Sequence, residues 1–361
     1  MTKKELESLR REIEGIDVKL VELVSQREQV AAEIGLVKEK DDLEVRDLAR
    51  EKKVRAEFAR LAKSRGMDPG FSEVLAELLI SRAVRVQMTR KPKDLKGKSA
   101  LVVGGSGRMG AWFCRRLSNR GAEVVVWDPR GHLDGYENIR QLGPAARSAD
   151  IVIVSSPLGA SPNELREVLE ARPKGLVFDV CSVKSHIASQ LRKAARSGIK
   201  ITSVHPMFGP SVASPKGRNV IICDCGCPRA NDEARKLFSA AGAIVVATTL
   251  ARHDELMAQV LGLTHATTLL FATALASSGN RIKDLVPVQG PSFSRALASA
   301  KELSLESVRV YHDIQSLNPD TRRMFGSLEK SLAKVKMASM DKSPNEFRKI
   351  IESSRKYLEV N

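Results

Sequence analysis

Ser99-Ala100-Leu101-Val102-Val103-Gly104-Gly105-Ser106-Gly107-Arg108-Met109-Gly110 is a short apolar run that breaks into a glycine-rich turn. The run predicts a buried strand, and the turn meets the spacing G-x-G-x-x-G at Gly105, Gly107 and Gly110. In that pattern Gly105 permits the tight turn, Gly107 lets the backbone approach a pyrophosphate, and Gly110 lets the next helix pack on the strand. The anion then rests on unpaired amides at the helix start, where the dipole favours it. A second apolar run, Glu123–Trp127, ends in Asp128. That carboxylate can accept hydrogen bonds from a ribose 2′-hydroxyl and would repel a 2′-phosphate. The expected nucleotide contacts are Gly105, Ser106, Gly107, Arg108, Met109, Gly110, Asp128 and Ser156. NAD is favoured over NADP, with Arg130 as the nearby cation that could weaken the preference.

Downstream, Ile151–Val154, Leu176–Asp179 and 201–204 are further apolar runs at the spacing of alternating strands and helices. This predicts a parallel sheet with crossover helices. Residues 220–223 and 243–247 are candidate edge strands, and from about Arg252 the chain reads as helix alone. Upstream the texture differs. Leu6, Leu9, Ile13, Ile16, Leu20, Leu23, Val24, Val30, Ile34 and Val37 recur at helical spacing and predict one helix over 5–38, followed by helices over 45–64 and 71–88. Three helices with so long a first member bury little alone, so a dimer is expected to cover the stripe. Thr-Arg-Lys-Pro-Lys-Asp-Leu-Lys-Gly at 89–97 is the natural boundary. The expected architecture is multidomain: an all-α three-helix domain over 1–90, a linker over 91–97, an α/β Rossmann dinucleotide-binding domain over 98–249, and an all-α substrate and dimerisation domain over 250–361.

The 361 residues carry a net charge of +16, of which +3 falls in residues 1–97 and +13 in the remainder. A basic surface can attract nucleic acid or steer small polyanions inward. Aromatic residues make up 4% of the chain and no basic block stands out, so stacking platforms for bases would be scarce and no nucleic-acid partner is expected. No run approaches the ~20 apolar residues of a membrane span, and the opening Met-Thr-Lys-Lys-Glu lacks the apolar core of a signal peptide. A cytoplasmic protein is expected. Its five cysteines argue against a disulfide framework. Cys223, Cys225 and Cys227 lack a second pair to complete a metal site and read as a strand end and turn around Gly226.

After the nucleotide motif come Phe178-Asp179-Val180-Cys181-Ser182-Val183-Lys184, then Val204-His205-Pro206-Met207-Phe208-Gly209-Pro210, then His253-Asp254 and His265. In this order the set closely resembles the prephenate dehydrogenase family over roughly residues 98–315. The resemblance implies NAD-dependent oxidation of prephenate with loss of carbon dioxide, giving 4-hydroxyphenylpyruvate for tyrosine synthesis. Oxidising a secondary alcohol needs an acceptor for the hydroxyl proton, and a histidine suits that near neutral pH. The resemblance gives His205 the contact to the ring hydroxyl and Ser182 the task of orienting it. Lys184 becomes a supporting residue of the same cleft, and His265 a substrate-binding one. Prephenate carries two carboxylates, so cations are required. The family's arginine upstream of a Tyr-x-Asp-Ile segment, here Tyr311-His312-Asp313-Ile314, aligns with Glu302; Arg295 and then Lys301 are the expected substitutes. Arogenate remains the alternative substrate, and tyrosine is a possible feedback inhibitor competing at the same cleft.

Leu9-Arg10, Arg27, Glu33-Ile34-Gly35, Lys38, Arg46-Asp47, Arg50-Glu51 and Gln87 resemble the all-helical chorismate mutase family over nearly all of residues 5–88. That rearrangement, which makes prephenate from chorismate, needs no nucleophile. Its rate comes from holding a dianion in a chair-like shape and stabilising charge on the breaking ether oxygen. Arg10 and Arg27 can clamp the carboxylates, Arg10 in the partner subunit's site as the resemblance implies. Lys38 and Gln87 can donate to the ether oxygen, Glu51 can accept from the substrate hydroxyl, and Asp47 and Arg50 would shape the pocket. Arg27 and Lys38, eleven residues apart, share a helix face. Ala83 stands where relatives carry a small hydroxyl residue. A rival reading makes residues 1–90 a non-catalytic dimerisation or ligand-sensing module; a mere dimer face, however, needs no such set of Arg, Lys and Gln.

Overall fold

Long stretches poor in proline and glycine favour helix over 3–40, 48–64 and 69–88. The computed structural model describes residues 3–40, 46–88, 94–305 and 307–359. It divides into two compact units, Met1–Leu95 and Lys96–Asn361. The first holds α1 (Lys3–Lys40), α2 (Leu48–Ser64) and α3 (Pro69–Met88). Asp47 caps α2 by accepting from the Arg50 amide at 2.9 Å. Both α1 and α2 pack on α3, burying Ala31, Ala62, Ala76 and Ile80. Residues 5–26 of α1 are exposed throughout, Leu6, Leu9, Ile13, Ile16, Leu20 and Leu23 included.

The second unit is built on an eight-stranded sheet in the order β3-β2-β1-β4-β5-β6-β7-β8. The strands are β1 (Ser99–Val103), β2 (Glu123–Trp127), β3 (Glu137–Asn138), β4 (Ile151–Val154), β5 (Leu176–Asp179), β6 (Ile201–Pro206), β7 (Asn219–Asp224) and β8 (Ile244–Thr249). β1, β4 and β5 read as continuous apolar runs because helices cover both of their faces. All neighbours pair in parallel except β6 with β7. The crossover helices are α4 (Arg108–Asn119), α5 (Leu142–Ser148), α6 (Ser161–Glu170), α7 (Ala188–Arg196) and α8 (Pro228–Ser239). The cysteine segment is a strand end and turn: Cys223 and Cys225 are buried, and Gly226 takes a φ of 97°.

From β1 the chain moves outward to β2 and returns on the other side to β4, so a switch point opens between the C-terminal ends of β1 and β4. The glycine turn lies there. Gly104, not Gly105, takes the left-handed conformation, with φ 76°. A methyl on Gly105 would lie 2.6 Å from the Val126 side chain, and one on Gly110 would lie 2.2 Å from the Gly104 carbonyl oxygen. Gly105 therefore serves the packing of the turn on β2, and Gly110 the seating of α4. Gly110→Ala is expected to lower the unfolding free energy of this unit by about 1–3 kcal/mol; a thermal melt coincident with wild type would contradict that.

Beyond the sheet come α9 (Leu250–Met257), a π-helical segment (Ala258–Leu263) and α10 (Thr264–Ala276), together one helix. Then follow α11 (Ile282–Leu285), α12 (Pro291–Ser304), α13 (Val308–Leu317), α14 (Thr321–Met340) and α15 (Asn345–Glu359). Contrary to the sequence expectation, Leu250–Ala276 is long and apolar enough to cross a membrane by length and composition. Its first turns nevertheless join the protein core, where Leu250 and Met257 pack with Ile314 of α13.

Candidate active site

β5 and β6 end side by side, with Asp179 opposite Ser203. His205 lies near the end of its strand, as the fifth residue of β6, and is 5% exposed. Its Nδ1 lies 2.9 Å from Nε2 of His253 on α9, and His253 Nδ1 lies 2.7 Å from Asp254 Oδ1. Asp254 also accepts from the Lys184 amide (2.8 Å), the Ser185 amide (2.7 Å) and the Ser185 hydroxyl. Burial works to raise the Asp254 pKa, but these donors win and hold it below the usual carboxylate range. The aspartate is thus an acceptor only. It fixes the proton on His253 Nδ1, so His253 Nε2 accepts from His205 Nδ1–H. The lone pair of His205 is then left on Nε2.

Burial, then the neighbouring His253 and Lys184, push the His205 pKa well below its ordinary value. Burial lowers His253 as well, against the pull of Asp254. An uncharged His205 is the result. The unfolded chain binds these two protons near pH 6.5 and the folded one only at lower pH, so the two rings cost stability as pH falls below about 6.5 and cost nothing above it.

Lys184 does not line the cleft with its ammonium. The side chain is fully buried, and Nζ donates to Asp179 Oδ1 at 2.7 Å and to the Val204 carbonyl at 2.9 Å. Burial opposes its charge, yet Asp179 holds the pKa above the ordinary lysine value. Lys184 thereby ties the end of β5 to β6 beside His205. Ser182 sits half-buried in the same loop. His265 on α10 meets the ring of Tyr311 edge-on, centroids 4.4 Å apart, with its Nδ1 buried and unpartnered.

Arg295 and Lys301 are exposed on α12, which packs on α10. Arg295 has Ser292 as its described partner, at 3.5 Å, and the structure brings neither cation to His205. Arg309 of α13, which the sequence does not single out, reaches the loop after β4. A methyl on Gly159, in the loop after β4, would lie 3.1 Å from its Nη2.

At the switch point Gly107 precedes α4 as its cap. The Ser156 hydroxyl, buried beside Gly104, has no partner. Asp128 accepts from the Ser106 hydroxyl and from the Arg130 amide at 3.0 Å. The glycine cradle that a Cβ would fill, the orphaned Ser156 hydroxyl and the acceptor at the end of β2 together fit a dinucleotide.

In the helical unit Arg27 on α1 donates to the Leu79 carbonyl of α3 at 2.7 Å. Glu51 is buried and ion-paired with Arg46 at 2.8 Å and Arg55 at 3.3 Å; Arg55 also holds Glu77. Those arginines, the hydrogen bond from Arg46 foremost, keep Glu51 below its ordinary pKa. Two carboxylates expected in the pocket thus have local tasks: Asp47 caps a helix and Glu51 organises two arginines. Arg55 had no sequence signal beyond its place one helical turn after Glu51. Lys38 is half-buried, Arg10 and Arg50 are exposed, and the Gln87 side chain lies outside the described residues.

Residues 9–88 match the family described as chorismate mutase type II, and residues 135–246 match the prephenate dehydrogenase nucleotide-binding domain. A 4-amino-4-deoxyprephenate dehydrogenase of Streptomyces pristinaespiralis is 33% identical over 66% of this chain and 83% of its own length. The T-protein of Enterobacter agglomerans is 26% identical over 86% of this chain and 81% of its own. A Methanocaldococcus jannaschii "probable arogenate/prephenate dehydrogenase" is 25% identical over 71% of this chain, which spans 60% of that relative. Among solved structures, Aquifex aeolicus prephenate dehydrogenase, in complex with hydroxyphenyl propionate and NAD+, matches 74% of this chain and all of its own, with a TM-score of 0.60 at 20% identity. The chain belongs to the prephenate dehydrogenase family, in the bifunctional form that carries a chorismate mutase domain ahead of the dehydrogenase.

Proposed function

We propose that this chain converts chorismate to prephenate in its helical unit and then oxidises prephenate to 4-hydroxyphenylpyruvate and carbon dioxide at the C-terminal ends of β5 and β6. The observation that carries the second step is the chain His205–His253–Asp254, which leaves a neutral imidazole nitrogen free at the end of β6. NAD, held by Gly105, Ser106, Gly107, Arg108, Met109, Gly110, Asp128 and Ser156, supplies the electron acceptor when bound. His205 Nε2 takes the proton of the ring hydroxyl, and the positive charge it gains is stabilised through His253 by Asp254. Ser182 orients the hydroxyl, and His265 contacts the substrate. Loss of the ring carboxylate follows from aromatisation and needs no dedicated acid. Lys184 is a positioning residue here.

In the helical unit Arg27, Lys38 and Gln87 bind the chorismate dianion, with Arg10 supplied by a second copy. The exposed apolar face along α1 supports a homodimer. Tyrosine, which shares the product's ring, fits a competitive inhibitor of the dehydrogenase cleft, and a cytoplasmic location suits soluble substrates of this kind. The fused mutase favours prephenate over arogenate.

Because burial keeps His205 neutral, kcat/KM for prephenate is expected to hold down to pH values well below 6.5 before protonation removes it. An acid limb centred at or above 6.5 in a pH–rate profile would contradict the relay. The substrate assignment is tested by comparing prephenate and arogenate, each with NAD and NADP. The highest kcat/KM is expected for prephenate with NAD; a preference for arogenate or for NADP would overturn that part.

A further inference from the structure

α9, the π segment and α10 run as one helix, Leu250–Ala276, that carries both His253 and His265. Twelve residues are about 3.3 turns of α-helix, so an unbroken α-helix would set the two rings roughly a third of a turn apart. A π segment bonds i to i+5 and takes up roughly one residue more than α turns do, which leaves about 3 turns. Ala258–Leu263 is such a segment, placed between the two histidines. Its effect is to bring His265 round to the side of His253, whose ring is bonded to His205.

π turns are rare and persist where something holds them. Both α13 and α14 pack on the segment here, and α13 supplies the side-chain hydrogen bond to it. Gln315 Nε2 donates to the carbonyl of Gly262, inside the π segment, at 2.8 Å, and Gln315 Oε1 is buried with no partner of its own. Tyr311, one turn earlier on α13, stacks edge-on against His265. One face of α13 thus grips the π turn and the histidine it orients.

We propose that Gln315 is a positioning residue of the dehydrogenase: its hydrogen bond to Gly262 holds the π turn, and the π turn sets His265 on the face of the His205–His253 pair. This rests on the reading of that cleft as the site of prephenate oxidation. Without the donor the segment relaxes toward α-helix, and His265 turns by about one residue's rotation, roughly 100°.

Two variants test this. In Gln315→Met the prephenate KM is expected to rise about tenfold, while kcat and the NAD KM stay within about twofold of wild type. In Gln315→Glu a protonated acid can still donate to Gly262 and an ionised one cannot. Its prephenate KM should therefore match wild type at low pH and climb away from it as pH rises. Independently of any substrate, the His265 ring protons should lose the ring-current shift of Tyr311 in Gln315→Met, read by NMR of histidine-labelled protein. A prephenate KM unchanged in Gln315→Met, equal rises in both KM values, or an unshifted His265 ring would overturn the proposal. Wild-type protein inactive on prephenate would instead sink the reading of the cleft, and the NMR result would still decide the role of Gln315.

Discussion

His205→Asn is expected to lower kcat for prephenate oxidation by about 10²–10⁴-fold, the usual contribution of a positioned general base. The same variant should consume chorismate at the wild-type rate, because the mutase residues lie in the other unit. Asparagine can keep a hydrogen bond to His253 but offers no nitrogen that takes up a proton at neutral pH. The loss should therefore appear in kcat with prephenate KM nearly unchanged. Steady-state kinetics of both reactions on one preparation check this. A variant with kcat within threefold of wild type would remove His205 from the chemistry, and the relay through His253 and Asp254 would lose its purpose.

Arg27→Ala is expected to cost the mutase about 10²–10³-fold in kcat/KM, the scale for deleting one preorganised donor from a charged site. Arg27 is already anchored to the Leu79 carbonyl at 2.7 Å, so one of its five donors fixes the side chain and the others stay available for a carboxylate. Preorganisation of this kind means little rotamer entropy is lost when substrate arrives. Lysine at 27 should recover only a fraction, because a point charge cannot make the paired bonds of a planar guanidinium. Prephenate oxidation by the same variant should be unaffected. A mutase rate that survives Arg27→Ala would remove Arg27 from the mutase site, whereas no chorismate turnover by the wild-type chain would favour the non-catalytic module for residues 1–90.

The central strands were legible because each obeys one local rule. Residues 100–103 and 151–154 are apolar without interruption, and a strand covered on both faces needs that and nothing else. β3 was not legible: two residues, Glu137 and Asn138, carry no pattern, and they pair with β2 at the sheet edge. The direction of β7 was also hidden, since periodicity is blind to whether a strand runs parallel or antiparallel.

At the sites, residue identity was easier to read than task. Asp254 and His253 stood out in the sequence, but their order as a relay depends on α9 meeting His205 of β6 and the loop after β5. Lys184 read as a supporting residue of the cleft and is a buried tie between strands, because Asp179 five residues earlier faces it once the chain turns. Gly104 outranks Gly105 at the turn for a similar reason: the spacing of a motif fixes which residues are small, not which one takes the left-handed φ. Leu250–Ala276 illustrates the converse. Its composition is apolar enough for a membrane, while the polar residues that matter, His253, Asp254 and His265, are too few to lower the average.

Incubating the purified chain with chorismate alone, and then adding NAD, probes both sites in their proposed order. Prephenate should accumulate in the first phase, and in the second NADH and 4-hydroxyphenylpyruvate should appear in equal amounts as prephenate falls. Chorismate left intact until an external mutase is added, or prephenate that persists after NAD is supplied, would contradict the account.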